Sequence, residues 1–261
     1  MYYIKRYFFQ QLAKSKRLTF ILHKIWIGYQ YIRANYLYFL FFKLKIKINS
    51  LSDRGQDKWI IDIFDLKKKS YNGFFLEIGG GDGFSNNNTF ILEEYFGWKG
   101  ILVEPDPKQF KKLKILRTKA ITSNKLIYDK SIKLNFLKNG ELSKVVNNYS
   151  SKHKDNIITM QSVSLIELLN YHKSPIVIDF FSLDVEGSEE KILTEDVLNQ
   201  YIFLSLCIER PNLKLHKLLT KKNYIFIKSN LYDYFYIHRD FFNYEKVFKS
   251  KKKFTEIYES K

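Results

Sequence analysis

The 261-residue sequence is poor in the residues that build cross-linked or linker-dominated scaffolds. Its one cysteine, Cys207, excludes an intramolecular disulfide, a cysteine-based zinc cluster and a CxxC redox pair. Four prolines and eleven glycines are too few for a collagen-like or linker-rich chain. Hydrophobic residues make up 45% of the sequence and aromatic residues 17%, so a substantial core can form and wholesale disorder is excluded. The length favours one large domain of the α/β class.

The first 50 residues lack aspartate and glutamate altogether. They contain ten basic residues, whereas the remaining 211 residues hold 34 basic and 27 acidic residues, so that the net charge of +17 divides into +10 and +7. The longest uncharged run in this segment, residues 34–42, has nine residues. A membrane-spanning helix needs roughly 20 apolar residues, so this run does not predict one. The segment also has no uninterrupted apolar stretch followed by a small-residue cleavage site, so it does not predict a signal peptide.

Lysines interrupt the apolar and aromatic residues of residues 1–51 every few positions, which is typical of amphipathic helices. We call this segment the basic leader. One interpretation is a helical pair that packs on the rest of the protein with its lysines in water. The other is peripheral contact of residues 1–50 with an anionic membrane, in a protein that is otherwise cytoplasmic. The charge also indicates attraction to polyanions in general, including nucleic acid and acidic glycans.

From about residue 52, short apolar runs alternate with segments of helical length. The apolar runs are 73–78, 101–103, 176–183, 201–208, 224–227 and 232–238, and the predicted helices are 89–96, 107–117, 164–171, 189–199 and 212–221. This alternation predicts an α/β fold with a mostly parallel, doubly wound sheet. Only a few residues separate the last two runs, which predicts an antiparallel terminal hairpin. We therefore expect two domains, the basic leader (1–51) and an α/β domain (52–261).

A glycine-rich segment, residues 77–83, follows the first predicted strand. It fits the pattern ExGxGxG with Glu77, Gly79, Gly81 and Gly83, and Asp82 lies within it. The dinucleotide pattern GxGxxG fails because the sixth position is phenylalanine. An acid at the first position suits a ligand with a cationic amine, whereas it would repel a pyrophosphate. The alternative interpretation is a strand-to-helix turn without a ligand.

Glu104 ends the next predicted strand, 25 residues after Gly79. Doubly wound sheets bind ligands at the carboxyl ends of their strands, and a carboxylate there can accept hydrogen bonds from both ribose hydroxyls of an adenosine. Asp106 and Pro107 predict the N-cap and first residue of the following helix, which leaves Glu104 for a ligand. The glycine loop and this acid together predict an adenosine ligand with a cationic tail, such as S-adenosylmethionine. The sequence contains no GxxxxGK[ST] pattern, which argues against a P-loop nucleotide enzyme.

Two carboxylates, Asp184 and Glu186, follow the apolar run 176–183 at the same predicted edge. They are candidates for orienting an acceptor hydroxyl or removing its proton, and the alternative is that they cap the helix that follows. Two carboxylates are fewer oxygen ligands than a hard cation usually takes, so no metal ion is expected. Glu209 and Arg210 end the next run and are candidate substrate-binding residues. Arg210 either holds an anionic acceptor or simply pairs with Glu209.

Several of these blocks together resemble the FkbM family of S-adenosylmethionine-dependent methyltransferases. The most specific are residues 97–107 (GWKGILVEPDP) and 183–189 (LDVEGSE), and weaker ones are 55–59, 73–83, 88–89 and 140–143. The resemblance covers roughly residues 52–240 and leaves the basic leader outside. It implies a class I Rossmann-like domain in which residues 77–83 contact the methionine part, Glu104 the ribose and Asn124 the adenine. It also implies O-methylation, often of sugars.

The sequence therefore predicts methylation of a sugar or glycoconjugate hydroxyl, with a saccharide or another small hydroxyl-bearing molecule as the partner. A nucleic-acid methyltransferase is the first alternative, motivated by the charge. Amino-group methylation of bases typically relies on [DNS]PP[YF], and residues 182–185 contain no proline, so nucleic acid is not the favoured substrate. A methyltransferase-like adaptor without activity is the second alternative, and the intact glycines and acids argue against it.

Overall fold

The computed structural model describes residues 25, 28–29, 32–147 and 155–241. The chain divides into two compact units, Met1–Ile48 and Asn49–Lys261. In the first unit, residues 32–38 are α-helical and a π-helical turn, Phe39–Lys43, follows them. Residues 1–24, 26–27 and 30–31, on which most of the predicted amphipathic helices fall, lie outside the described residues. No helix in the described ranges combines the length and the hydropathy needed to cross a membrane.

The second unit contains seven α-helices, one 3-10 helix (Gly140–Leu142) and eleven strands in its described part. The helices are α1 (Gln56–Ile63), α2 (Phe90–Phe96), α3 (Pro107–Leu116), α4 (Leu165–Tyr171), α5 (Glu189–Ile192), α6 (Glu195–Gln200) and α7 (Leu213–Lys221). The strands are β1 (Phe74–Ile78), β2 (Lys99–Val103), β3 (Ile121–Ser123), β4 (Leu126–Tyr128), β5 (Lys133–Leu137), β6 (Lys144–Val146), β7 (Ile157–Ser164), β8 (Val177–Leu183), β9 (Ile202–Glu209), β10 (Tyr224–Asn230) and β11 (Asp233–His238).

The main sheet has seven strands in the order β10-β11-β9-β8-β1-β2-β3. Strands β3, β2, β1, β8 and β9 pair in parallel, whereas β11 is antiparallel to both β9 and β10. This arrangement confirms the predicted parallel sheet and the antiparallel hairpin at one end. Successive residues of β1 and β8 are buried, so both faces of the sheet are covered, as expected for a doubly wound fold.

Two apolar layers hold this sheet in place. On one face, Leu76 and Ile78 of β1 belong to a buried cluster with leucines of α4 and α7. An aromatic cluster also packs near the start of β1, where the ring of Phe64 lies 5.1 Å from Trp98 and 4.9 Å from Phe241. Burying a large apolar side chain contributes about 1.5–3 kcal/mol, so these layers supply much of the energy that fixes the strand ends.

The helix that begins at Pro107 forms as the sequence predicts. The side chain of Asp106 accepts a hydrogen bond from the backbone N–H of Lys108 (2.8 Å), and Pro107 occupies the first turn. This cap fixes the direction in which the chain leaves β2. Glu104, two residues before the cap, is therefore held at the carboxyl edge of the sheet.

The helix predicted over 189–199 is instead two short helices, α5 and α6. Leu193 and Thr194 interrupt it, and the side chain of Thr194 caps α6 by accepting a hydrogen bond from the N–H of Val197. Threonine competes with the helical backbone for such hydrogen bonds, which is the physical reason for the break. A second sheet, in the order β4-β7-β5-β6, was not predicted either.

Candidate active site

The predicted site residues meet at the carboxyl edge of β1, β2, β8 and β9. Gly79 follows β1, and a Cβ atom placed on it would lie 1.9 Å from the carbonyl oxygen of Asp184, which follows β8. The φ angle of Gly79 is +92°, a value that side chains rarely permit. Only glycine therefore allows the loop after β1 to pass this close to the end of β8.

Glu77 lies inside β1 and is only 3% exposed. One carboxylate oxygen accepts from the N–H of Asn88 (3.1 Å), and the other accepts from Asn87 Nδ2 (3.0 Å) and from the hydroxyl of Thr89. Burial raises the pKa of Glu77, while the positive charge of Arg117 and these hydrogen bonds act in the opposite direction. Glu77 thus braces residues 87–89 from within, and its predicted contact with a cationic amine stays a prediction.

Arg117 is a member of this network that the sequence did not reveal. Its side chain is 1% exposed and lies one residue beyond α3. Nε pairs with Glu93 (2.7 Å), Nη1 donates to Asn87 Oδ1 (2.7 Å), and Nη2 donates to Thr89 Oγ1 (2.9 Å). Arg117 therefore ties the end of α3 to the loop that Glu77 braces. The available signal was a charged residue at a position where the helical period expects an apolar one.

Glu104 stands at the end of β2 and is 6% exposed. Its Oε2 accepts from the N–H of Gly81 (2.9 Å) and its Oε1 from the N–H of Asp106 (2.8 Å). Burial raises the pKa of Glu104 to about 7, although the two backbone hydrogen bonds lower it. A carboxylate offers about four acceptor positions, so two remain here. That capacity fits a pair of ribose hydroxyls.

The other predicted cofactor residues surround Glu104 or shape the loop. Asn124 Nδ2 donates to the carbonyl oxygens of Glu104 (2.7 Å) and Pro105 (3.0 Å), so Asn124 lies beside the same peptide. Asp82 accepts from the N–H of Ser85 (2.7 Å) and stabilises the turn that follows the glycines. Apart from its chain neighbours, no described residue has an atom within 4 Å of a Cβ placed on Gly81. The loop is thus closely packed at Gly79 and open at Gly81.

Three carboxylates converge at the ends of β8 and β9, the edge at which we expect the acceptor from the sequence; we call this edge the acceptor side. One oxygen each from Asp184, Glu186 and Glu209 lies within 4.8 Å of the others. Arg210 Nη1 contacts Glu186 Oε2 (3.0 Å) and Glu209 Oε1 (2.8 Å), so the predicted Glu209–Arg210 pair is present and includes a second glutamate. Its guanidinium also lies 4.1 Å from the ring centre of Tyr232. Arg210 is therefore positioned by its neighbours before any acceptor arrives.

The alternative in which Asp184 and Glu186 cap the next helix does not describe this structure. Among the described residues, neither side chain accepts a hydrogen bond from an N–H of α5, whose N-cap residue is Ser188. Glu189 stabilises the turn before the helix, because its Oε1 accepts from the N–H of Gly187 (3.0 Å) and from that of Val185 (3.4 Å). Asp184 and Glu186 thus belong to the acidic cluster and do not cap α5.

The electrostatics of this edge are dominated by like charges. Part of Asp184 is accessible to solvent. Desolvation by the many protein atoms around its carboxyl group, together with the charge of Glu209, raises the pKa of Asp184 well above the ordinary value. Burial and Glu209 also raise the pKa of Glu186, against the effect of Arg210. Asp233 lies opposite Glu209 on β11, and burial raises its pKa to about 6 although Arg54 lowers it. The edge holds more negative than positive charge.

The second sheet approaches the same cluster. Lys144, the first residue of β6, is close enough for its charge to lower the pKa of Glu186. The turn that precedes it contains residues 140–143, one of the blocks on which the family resemblance rests, and includes a 3-10 helix at Gly140–Leu142. A segment that the sequence left without secondary structure therefore borders the acceptor side.

Comparison with known proteins identifies a family and several structures of low similarity. A family model described as "Methyltransferase FkbM domain" matches residues 77–244. The METTL16 MTase domain is 13% identical over 69% of this chain and 64% of its own, with a TM-score of 0.40. A methyltransferase from Pyrococcus furiosus is 16% identical over 80% of this chain and 95% of its own, with a TM-score of 0.38. TrmK of M. capricolum, in complex with S-adenosyl-homocysteine, is 10% identical over 69% and 66%, with a TM-score of 0.34. No curated protein matches the chain.

The family match spans well over half of the sequence and includes the glycine loop, Glu104, and the cluster of Asp184, Glu186 and Glu209. The cofactor of such a methyltransferase is S-adenosylmethionine, and the two unused acceptor positions of Glu104 fit its ribose. The chain belongs to the FkbM family of S-adenosylmethionine-dependent methyltransferases.

Proposed function

We propose that this methyltransferase acts on a hydroxyl of a sugar or glycoconjugate, or of another small hydroxyl-bearing acceptor. The observation that carries the proposal is the close approach of Gly79 to Asp184, which brings the glycine loop on one side and a carboxylate cluster on the other to a single point of the sheet edge. A donor above the loop and an acceptor above the cluster would meet there.

On the donor side, we assign the ribose to Glu104 and the adenine to the region of Asn124. The methionine part lies along the loop at Gly79, Gly81 and Asp82. Glu104 keeps two acceptor positions after binding Gly81 and Asp106, whereas Glu77 is buried and occupied by the chain. Glu77 then acts on the donor chiefly by holding the loop in shape.

When bound, S-adenosylmethionine supplies a methyl group on a positively charged sulfur, which leaves as a neutral thioether. The acceptor oxygen forms a bond to the methyl carbon as the carbon–sulfur bond breaks, and the hydroxyl proton must go to a base. Asp184 and Glu186 are the carboxylates placed to orient that hydroxyl and take up its proton. Alignment of the two reactants provides much of the remaining rate enhancement.

The charge of the acceptor side supports a neutral acceptor over nucleic acid. Four carboxylates, Asp184, Glu186, Glu209 and Asp233, outnumber the three basic groups near them, which are those of Arg54, Arg210 and Lys144. A phosphodiester backbone would be repelled here, because nucleic-acid binding depends on neutralising phosphates with lysine and arginine. Sugar hydroxyls, in contrast, donate hydrogen bonds to carboxylates.

The basic leader supports a separate role at a surface. Residues 1–51 form this leader in our proposal and residues 52–261 the catalytic domain. Ten basic residues without an acidic one are suited to peripheral contact with an anionic membrane through residues 1–50. The same charge is what favours nucleic acid as the second candidate partner, in which case binding would reside in the leader and not in the acceptor site.

The test of the acceptor class is methyl transfer from labelled S-adenosylmethionine to a panel of saccharides and to RNA and DNA. We expect label in an alkali-stable ether of a saccharide or a small alcohol. Label in nucleic-acid bases, with none in the hydroxyl acceptors, would contradict the proposal.

A further inference from the structure

The acidic cluster at the sheet edge combines three carboxylates from two neighbouring strands. β8 and β9 pair in parallel, so Asp184 and Glu186, which follow β8, come to lie beside Glu209, the last residue of β9. One oxygen from each of the three lies within 4.8 Å of the others. Two of these residues are neighbours in sequence, and only the strand pairing adds the third.

One carboxylate oxygen of Glu209, Oε2, is buried among other acidic groups without a hydrogen-bond donor from the described residues. The residue is 9% exposed, and its Oε1 accepts from Arg210 Nη1 (2.8 Å). Its Oε2 is buried, and no donor in the part of the chain that the structure describes hydrogen-bonds to it. A buried carboxylate oxygen without a donor is costly, and the cost rises when other carboxylates surround it.

We propose that a divalent cation of the Mg²⁺ or Mn²⁺ type binds between Asp184, Glu186 and Glu209. Mg²⁺–oxygen distances of about 2.0–2.1 Å let one ion join oxygens up to about 4.2 Å apart. The three oxygens lie within 4.8 Å of one another, so small side-chain shifts would bring them onto one ion. Arg210 occupies Glu186 Oε2 and Glu209 Oε1, so the other oxygen of each glutamate remains, and Asp184 lies within hydrogen-bonding distance of Glu209. Magnesium commonly keeps several waters and takes few protein carboxylates, as this set would require.

The cation deepens the role proposed for the same site, and the inference rests on that role only for its catalytic consequence. An ion here would bind the acceptor hydroxyl in place of a water and lower its pKa, which is a general function of catalytic metal ions. Carboxylate oxygens outside its coordination shell would then receive the proton. The ion would also remove the mutual repulsion of three acids at one point.

The experiment is a titration of the full-length protein with Mn²⁺ alone, followed by electron paramagnetic resonance of the free ion. The proteins compared are the unaltered chain, Glu209→Gln, Asp184→Asn and the control Glu190→Gln. Glu190 is a partly exposed acid of α5 that bonds to Lys214 and lies outside the cluster. We expect one ion per chain with a Kd on the order of 0.1–1 mM.

Glu209→Gln and Asp184→Asn should each weaken this binding at least about tenfold, because each removes one of three charged ligands. Glu190→Gln should bind as the unaltered protein does, and Mg²⁺ should compete for the site. Absence of saturable binding at about 10 mM Mn²⁺, or equal binding in all four proteins, would overturn the proposal.

Thermal melting keeps the two substitutions interpretable. Without a cation, both should melt no lower than the unaltered protein, because each removes like-charge repulsion. With Mn²⁺, only the unaltered protein and Glu190→Gln should gain stability, and a gain of equal size in all four would count against the site. Calorimetry with S-adenosylmethionine alone separates the two proposals. Cofactor binding without ion binding defeats only the cation, and ion binding without cofactor binding defeats only the proposed function.

Discussion

The acidic residues at the carboxyl ends of β1 and β2, which we call the cofactor edge, differ in how far the protein's own hydrogen bonds occupy them. Glu104 binds two backbone N–H groups and keeps two acceptor positions, whereas Glu77 is nearly filled by Asn87, Asn88 and Thr89. Their surroundings differ although both are buried acids on adjacent strands. Glu104 is therefore the residue whose replacement should report on the cofactor.

The first prediction concerns Glu104→Gln. Because charge-assisted hydrogen bonds contribute about 1.5–3 kcal/mol, we expect the Kd for S-adenosylmethionine to rise roughly 10- to 100-fold in calorimetry. Glu94→Gln, an exposed acid paired with Lys119, is the control and should bind normally. Unchanged affinity in Glu104→Gln would remove the ribose from this residue.

The second prediction concerns pH. The pKa of Glu104 rises from 4.5 to about 7 on folding, so the folded protein holds a proton that the unfolded chain has lost between these values. The stability contributed by this group is present below pH 4.5 and is lost as the pH rises to 7. The full loss corresponds to about 3 kcal/mol, since one pKa unit is about 1.4 kcal/mol. Urea unfolding at several pH values should show a shallower decline between pH 5 and 7 in Glu104→Gln than in the unaltered protein, and parallel profiles would contradict the assignment.

At the scale of elements, the loop after β1 depends on contacts that reach it from two directions. Gly79 presses against the end of β8, and Arg117 fastens the loop to α3. Each contact joins segments far apart in sequence. The geometry of the cofactor edge therefore depends on how the elements pack, and we expect substitutions at either of these two contacts to change it.

Gly79→Ala tests the contact between Gly79 and the end of β8, with Gly97→Ala as a matched control. Both glycines have positive φ, but a Cβ on Gly97 meets no atom within 4 Å, whereas one on Gly79 would lie 1.9 Å from Asp184 O. We expect Gly97→Ala to cost about 1 kcal/mol in denaturant unfolding, and Gly79→Ala to cost about 1–3 kcal/mol more. Gly79→Ala should also weaken S-adenosylmethionine binding, and equal effects of the two substitutions would contradict the close approach.

Arg117→Met tests the contact between Arg117 and the loop after β1. Removing one partner of a buried ion pair costs about 3–5 kcal/mol, because Glu93 would be left buried and uncompensated. Lys119→Met removes an exposed partner of Glu94 and should cost no more than about 1 kcal/mol. Comparable losses in the two variants, measured by denaturant unfolding, would show that the Arg117 network contributes little.

The sequence predicts the elements that carry local signals and misses those that depend on distant partners. Strands β1, β2, β8 and β9 of the main sheet correspond to predicted apolar runs, whereas β3 was not predicted, and Asp106 with Pro107 marks α3. The second sheet does not, because β4 pairs with β7 across more than 30 residues, as Leu126 with Ser162. The same limit explains the site. Glu77 and Glu104 lie in recognisable motifs, whereas the contacts of Arg117 and the union of Glu209 with Asp184 require the folded chain.

At the scale of the whole molecule, charge is divided between two regions of opposite character. The basic leader has no acidic residue, while the acceptor edge gathers carboxylates. We infer that attraction to polyanions belongs to the leader and selection of a neutral acceptor belongs to the edge.

This division predicts that the full-length protein binds vesicles containing phosphatidylserine and leaves neutral vesicles unbound. Each basic residue near such a surface contributes about 1 kcal/mol, and salt screens the attraction. Replacing Lys14, Lys16 and Arg17 by Gln should weaken co-sedimentation more than replacing Lys214, Lys217 and Lys221, although both triple changes remove three charges. Equal losses would assign binding to overall charge and not to the leader.

The most direct test of the account is a crystal structure of the protein with S-adenosyl-homocysteine. We predict that the ribose hydroxyls donate to Glu104 and that the sulfur lies above Gly79 on the side of Asp184. Density for the nucleoside at any other surface, or a ribose without contact to Glu104, would contradict the central claim.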